Sequence, residues 1–359
     1  MPERLMHPIL KKADVLNRQQ TVEQRREIIM KAFIMDEDRK LKVVDRPEPE
    51  RGADNIIVKV KAASICGTDM RTFLHGNVKI DPPRILGHEF AGDIVYASEY
   101  AKEHGFHEGD RVTAAPAIGC GKCWPCKTGH TNMCDHLETI GFQYDGVFAS
   151  YVSIPAKAIR MGNVIKLPDN VSYDAATLIE PAACAYNGQT YLNIHEGDNV
   201  VIYGSGLIGC IHAELAFLKG AAKVMMCEPV AKRGHIAEEK VPGIIWIDNS
   251  QKNVAEEVKK LTDGVGANVV ITATSYAPVQ VEAQEIAAKM ARICLFGGLP
   301  GEGKGYVDSN MVHYKELQIC GVHATTAGYM REIMKLIEEG KLDSEKYIER
   351  IVSLDEIMD

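Results

Sequence analysis

Nowhere in the 359 residues is there an apolar run approaching the roughly 20 residues that a membrane span needs. The opening stretch, MPERLMHPILKKADVLNRQQ, lacks the apolar core of a secretory leader. A basic surplus is missing too: 41 Lys and Arg stand against 49 Asp and Glu, a formal charge of −8. That balance argues against nucleic acid as a partner, because the electrostatic footprint is absent. No membrane partner is expected either. There is no internal repeat and no low-complexity tract. Lacking leader and span, the chain is expected in the cytoplasm, where disulfides are rare. Its ten cysteines are then expected as free thiols, metal ligands or catalytic groups.

What is present suffices for two domains with cores of their own. Residues 1–29 read as a polar extension, with a short helix expected in TVEQRREIIMKAF. From Met30 the texture changes to short β-branched runs broken by Gly, Pro and Asp: KAFIMD, LKVVD, NIIVKVKAASI, GDIVYA, then GVFASYVSIP and AIRMG. This predicts a β-rich region over 30–181. Over 182–324 strands alternate with helices. NVVIYG, KVMMCEP, GIIWID, ANVVITAT and ARICLFGG read as strands; GLIGCIHAELAFLKG, VAKRGHIAEEK, VAEEVKKLTDG and PVQVEAQEIAAKM read as helices. Such alternation predicts a doubly wound parallel sheet, and the fold class is α/β. Residues 325–359 turn helix-rich and are expected to return to the first domain, with a short C-terminus.

CGKCWPCKTGHTNMC sets Cys120, Cys123, Cys126 and Cys134 in the pattern C-x2-C-x2-C-x7-C. Four thiolates at about 2.3 Å complete a tetrahedral structural zinc site, and two-residue gaps let them converge in a tight turn. A disulfide pair, a redox C-x-x-C and an iron–sulfur cluster are the other uses of such a loop. The redox motif usually opens a helix, and a Gly- and Pro-containing loop suits it poorly.

A second set of donors is scattered. ICGTDM supplies Cys66, Thr68 and Asp69; GHEF supplies His88 and Glu89; LIEPAAC supplies Glu180. One sulfur, one imidazole and a carboxylate leave a zinc position open, which is the form of a catalytic site. Asp69 is expected to bond the imidazole and fix its tautomer. Each residue alone is unremarkable, since a lone Cys is usually a small hydrophobe.

VVIYGSGLIG is a strand, a glycine turn and a helix start. Gly204 makes the turn, Gly206 lets a pyrophosphate approach, and Gly209 lets helix pack on strand, with Leu207 and Ile208 opening the helix. Anionic phosphate then meets the helix N-terminus. Glu228, about 20 residues on, closes the next strand where a carboxylate bonds a ribose 2′-hydroxyl. This favours NAD over NADP, though Lys232 and Arg233 stand near.

Taken together, CGTD at 66–69, GHE at 87–89, GDRV at 109–112, the four-cysteine loop, IEP at 179–181 and GSGLIG at 204–209 resemble the medium-chain zinc-dependent dehydrogenases. The resemblance runs from about Met30 to Asp359. It implies a GroES-like catalytic domain, a Rossmann domain and an active site between them. It implies two zinc ions, one catalytic and one structural, hydride transfer between an alcohol and NAD, and a homodimer or homotetramer. Cys66 and His88 look like zinc ligands, with Glu180 or Glu89 as the third, and Thr68 like the residue that takes the hydroxyl proton. Glu228 and Arg233 look like adenosine-ribose contacts. Glu180, where alcohol dehydrogenases carry cysteine, tilts the expected substrate toward a polyhydroxy compound: a sugar alcohol, cyclitol or sugar. Threonine, butanediol or sugar-phosphate oxidation on the same scaffold is the alternative, and a non-catalytic zinc and nucleotide binder is another. The resemblance also places Arg71 where many members have a proton-conducting histidine, and it implies further chain after Asp359.

Overall fold

The computed structural model describes residues 29–299 and 305–358. The first half holds strands β1 (Ile29–Met35), β2 (Leu41–Pro47), β3 (Ile56–Ser64), β4 (Arg84–Ile85), β5 (Glu89–Ala97), β6 (Arg111–Ala114), β7 (Ala117–Ile118), β8 (Glu138–Thr139), β9 (Tyr151–Ile154) and β10 (Val164–Lys166). They form an antiparallel sheet of order β10-β6-β5-β3-β9, a smaller sheet of order β2-β1-β4, and the pair β7-β8. Ile56, Val58, Phe90, Ile94, Val112 and Phe148 close one core among these strands.

The second half holds β11 (Asn199–Tyr203), β12 (Lys223–Cys227), β13 (Ile245–Ile247), β14 (Ala267–Thr272), β15 (Ala287–Leu295) and β16 (Gln318–Gly321). They make one parallel sheet, β13-β12-β11-β14-β15-β16. Both faces are buried. Val200, Ile202, Val224 and Met226 face one core, and Val201, Tyr203, Met225 and Cys227 face the other. A strand covered on both sides has no polar positions to alternate, hence the unbroken runs NVVIY and KVMMC. Strand order reverses between β11 and β14, and in such sheets ligands bind outside the strand ends at that reversal.

A helix over Ile179–Thr190 joins the halves. Ile179, Ala182, Ala183 and Ala185 share a core with Ala91 and Ile165 on one side and with Ile211, Leu215, Met330 and Ile333 on the other.

Four expected elements differ. AIRMG is not a strand; Ala156–Arg160 is a short helix that begins after Pro155 and buries Ala158 and Ile159. Two buried residues in five fit a helix turn as well as a strand, so the pattern was ambiguous. In GVFASYVSIP only Tyr151–Ile154 is strand; before it, Phe148 donates its N–H to Leu86 and accepts from the Phe33 N–H. PVQVEAQEIAAKM is helical only over Pro278–Ile286, and Ala287 begins β15. There the ladder with β14 shifts register between Ala267 and Val269, and an irregularity of this kind hides a strand's period. Of the expected helix in TVEQRREIIMKAF, residues 29–33 are strand β1 and the rest lies outside the described residues, as does the 1–28 part of the extension.

Candidate active site

The ladder between β3 and β5 builds the first cluster. It pairs Ser64 with Glu89, so the residues just after β3 lie beside those just before β5. Cys66 caps the helix Gly67–His75, and its backbone N–H donates to Asp69 Oδ2 at 2.9 Å. His88 follows Gly87, which has φ of 87° and whose missing Cβ would lie 2.6 Å from the Phe148 ring. A side chain at 87 would therefore push His88 off its place.

The ligand atoms of Cys66, His88 and Glu89 all lie within 4.8 Å of one another. Glu180 is outside that set but close, on the first turn of the helix Ile179–Thr190. Its charge is among the causes that move His88 and Glu89. The Ser64 hydroxyl donates to Glu89 Oε2, and the Cys184 thiol donates to Glu180 Oε1 at 3.3 Å. Asp69 Oδ1 stands 3.8 Å from His88 Nδ1, an ion-pair distance too long for the expected hydrogen bond. Thr68 is half-buried on the first turn of the same helix, and Arg71 and His75 are exposed. Phe142 meets the His88 ring edge-on, centroids 6.3 Å apart, whereas the Tyr144 hydroxyl is engaged by Glu138.

Electrostatics mark the cluster as short of positive charge. Burial opposes charge on His88, yet the Cys66 thiol and the Glu180 and Asp69 carboxylates raise its pKa to about 10. Burial and then the Glu180 charge push Glu89 up to about 7, and burial pushes the Cys66 thiol up. His88 Nδ1 is buried without a hydrogen-bond partner. Sulfur, imidazole and carboxylate crowded this closely, with an orphaned ring nitrogen, fit a divalent zinc ion.

Cys120, Cys123, Cys126 and Cys134 form the other such group among the described residues. Sγ of Cys123 and Cys134 are 3.7 Å apart. A disulfide needs about 2.05 Å, whereas tetrahedral thiolates about 2.3 Å from zinc sit roughly 3.8 Å apart. Backbone N–H groups point at sulfur, from Cys120 to Cys134 at 3.1 Å and from His136 to Cys134 at 3.2 Å. Those of Lys122 and Cys123 lower the Cys120 pKa to about 6. These donors suit thiolates, and the set fits zinc.

The phosphate loop follows β11. Gly204 has φ of 97°, and a Cβ there would lie 2.9 Å from Ala273 O. At Gly209 it would lie 2.1 Å from Gly204 O. At Gly206, by contrast, it would meet nothing within 4 Å. That glycine answers to space kept open before the helix Leu207–Leu218, the cradle a pyrophosphate needs. Leu207 and Ile208 are the first two residues of that helix, half-buried, and Arg233 lies exposed on the helix Ala231–Lys240. Glu228, past the end of β12, is buried. Its Oε2 accepts from Ser205 N and Oγ, both at 3.1 Å, and its Oε1 from Val230 N at 3.1 Å.

A cleft of about 990 Å³ is lined by Ser64 and Thr177 at one part and by Ser205–Leu207 and Arg233 at another. It thus reaches from the residue that fixes Glu89 to the phosphate loop. Two residues of the cluster went unnoticed in the sequence, Ser64 and Cys184. For Cys184 a signal existed: in LIEPAAC it stands four residues after Glu180, one helix turn on.

Parallel sheet, phosphate loop and adjacent metal-donor cluster define a nucleotide-dependent oxidoreductase. Family models agree: the alcohol dehydrogenase GroES-like domain matches residues 52–169, and the zinc-binding dehydrogenase domain matches 208–339. A sorbitol dehydrogenase from Halalkalibacterium halodurans is 30% identical over 85% of this chain and 87% of its own. A scyllo-inosose 3-dehydrogenase from Thermotoga maritima is 33% identical over 88% and 85%. An L-threonine 3-dehydrogenase from Pyrococcus furiosus is 32% identical over 85% of each. Among solved structures, one from Sinorhizobium meliloti 1021 bound to NADP superposes with a TM-score of 0.85, at 32% identity over 92% of this chain and 94% of that one. One from Escherichia coli CFT073 complexed with NADH gives 0.79, at 30% over 89% and 90%. The chain belongs to the zinc-dependent medium-chain dehydrogenase family. It is an oxidoreductase that uses zinc and a nicotinamide cofactor on a small-molecule alcohol.

Proposed function

We propose that the chain oxidises a secondary alcohol of a polyol (a sugar alcohol, cyclitol or sugar) with NAD. The observation that carries this is the acidic donor set: Glu89 beside Cys66 and His88, with a second carboxylate, Glu180, at hand. Cys66, His88 and Glu89 would hold the catalytic zinc, and the four loop cysteines the structural one. Zinc supplies Lewis acidity to a substrate hydroxyl, and the nicotinamide accepts hydride. Ser64 holds Glu89 in place, and Asp69 keeps a negative charge 3.8 Å from the His88 ring. Thr68, on the first turn of its helix, takes the hydroxyl proton. Glu180 is buried next to the cluster and keeps it acidic. Gly204, Gly206 and Gly209 shape a loop that would take the pyrophosphate, the N–H groups at Leu207 and Ile208 would meet its charge, and Arg233, exposed at the start of its helix, would contact the adenosine ribose. Glu228, buried and accepting from Ser205 of the loop, would place a negative charge near a 2′-phosphate; this supports NAD as the preferred cofactor.

The experiment is NADH formation by zinc-loaded protein with sorbitol, xylitol, galactitol, inositols, L-threonine, butanediol and sugar phosphates. A strong polyol or cyclitol response supports the reading. A response to threonine alone supports the second one, which the Pyrococcus relative favours. Cofactor binding without turnover on any of them overturns both. A dimer or tetramer is proposed as well: β16 ends its sheet with an outer edge that pairs with nothing among the described residues. Ten free cysteines suit a reducing, cytoplasmic setting. No helix among the described residues is long and apolar enough to cross a membrane.

A further inference from the structure

Two buried carboxylates stand at the cluster, and only one of them lies within its donor set. Each has a donor of its own. Glu89 takes the Ser64 hydroxyl from the neighbouring strand. Glu180 takes the Cys184 thiol, 3.3 Å away and one helix turn on. Glu89 joins Cys66 and His88; Glu180 does not. We propose that Cys184 is a positioning residue that holds Glu180 out of the Cys66–His88–Glu89 donor set. The proposal rests on the reading of that set as a zinc site.

The chemistry favours a soft hold. A carboxylate freed beside a dication turns toward it. A thiol is a weak donor, so its bond restrains Glu180 without locking it. The shared helix matters here, because the i,i+4 spacing keeps thiol and carboxylate on one face whatever the rest of the cleft does. A residue of mere packing value would tolerate Ala or Ser alike. A donor tolerates Ser and not Ala.

The test replaces the exchangeable metal of the holoenzyme with cobalt(II), with one cobalt and one zinc counted per chain. Wild type is compared with Cys184→Ala, Cys184→Ser and Cys184→Ala/Glu180→Ala. In Cys184→Ala the visible ligand-field bands should move and cobalt release to a chelator should slow, by about tenfold, the scale at which groups behind the ligands alter metal affinity. Cys184→Ser should keep the wild-type spectrum and release rate, and the double variant should lose the slowing. Unchanged bands and release in Cys184→Ala overturn the proposal. So does a halved sulfur-to-cobalt charge-transfer intensity, which makes Cys184 itself a ligand. Exchangeable cobalt that survives Cys66→Ser overturns the zinc site first, and is told apart by its appearance without any change at Cys184.

Discussion

Glu89 and Glu180 are separated by more than 90 positions in the chain, yet the charge of one acts on the other at the same cluster. The structure gives different expectations for each. Glu89→Ala should leave about one zinc per chain where wild type holds two, as read by metal analysis. Glu180→Ala should keep both and lose roughly 10- to 100-fold in turnover, the cost typical of groups that support a metal's ligands. Equal zinc loss in both variants would show the assignment to be wrong. Gly209→Ala sets a methyl 2.1 Å from the Gly204 carbonyl, so NAD binding by calorimetry should vanish while zinc content stays. At this scale the sequence exposed Cys66, His88 and the loop glycines, because their motifs are contiguous. It could not rank the two carboxylates, whose ranking depends on how β3 and β5 pair, and it hid Ser64 and Cys184. Their roles exist only through what they touch.

Elements were legible where a period is long. The parallel strands and crossover helices after residue 199 announce themselves by alternation. The helix Ile179–Thr190 did not, since Pro181 in its first turn reads as a turn residue although proline is tolerated there. The cysteine lobe was legible for another reason: metal spacing is local. It contains only one short helix, Trp124–Lys127, and a single turn at Thr131–Met133, too little to stand without a cross-link. Cys120→Ser should therefore lower the melting temperature by about 5 °C or more, the shift that about 2 kcal/mol gives in a domain of this size. The affinity for NAD should stay within about twofold of wild type. Unchanged melting would remove the metal from the lobe.

For the molecule as a whole, acid stability has an identifiable contributor. His212 is fully buried in the helix Leu207–Leu218; Gln189 donates to its Nδ1 at 3.3 Å and its Nε2 has no partner. Burial, and then the charge of Lys219, lower its pKa from 6.5 to about 3. The folded chain keeps it neutral while the unfolded chain takes the proton. Stability therefore falls as pH drops through 6.5 and goes on falling toward 3. Between pH 7 and pH 5 the cost is about 2 kcal/mol. Denaturant unfolding of wild type and His212→Gln at both values measures it; the variant should lose about 2 kcal/mol less between them. An equal loss in both would mean that His212 is not the group that titrates.

The helix Ile179–Thr190 carries Glu180 at one end and is seated in a core drawn from both halves of the chain. Anyone grafting the nucleotide half of one relative onto the substrate half of another meets it first. A splice at residue 181 would divide Ile179 and Glu180 from Ala182 and Ala183 and mix two ancestries within a single turn. A splice upstream, in the linker around Pro168–Val171, keeps the helix whole but exchanges the carboxylate beside the metal together with the nucleotide half. The carboxylate beside the metal is thus inherited with the cofactor preference, while Cys66, His88 and Glu89 come with the substrate half, and hybrids that keep the helix whole should be the ones that turn over.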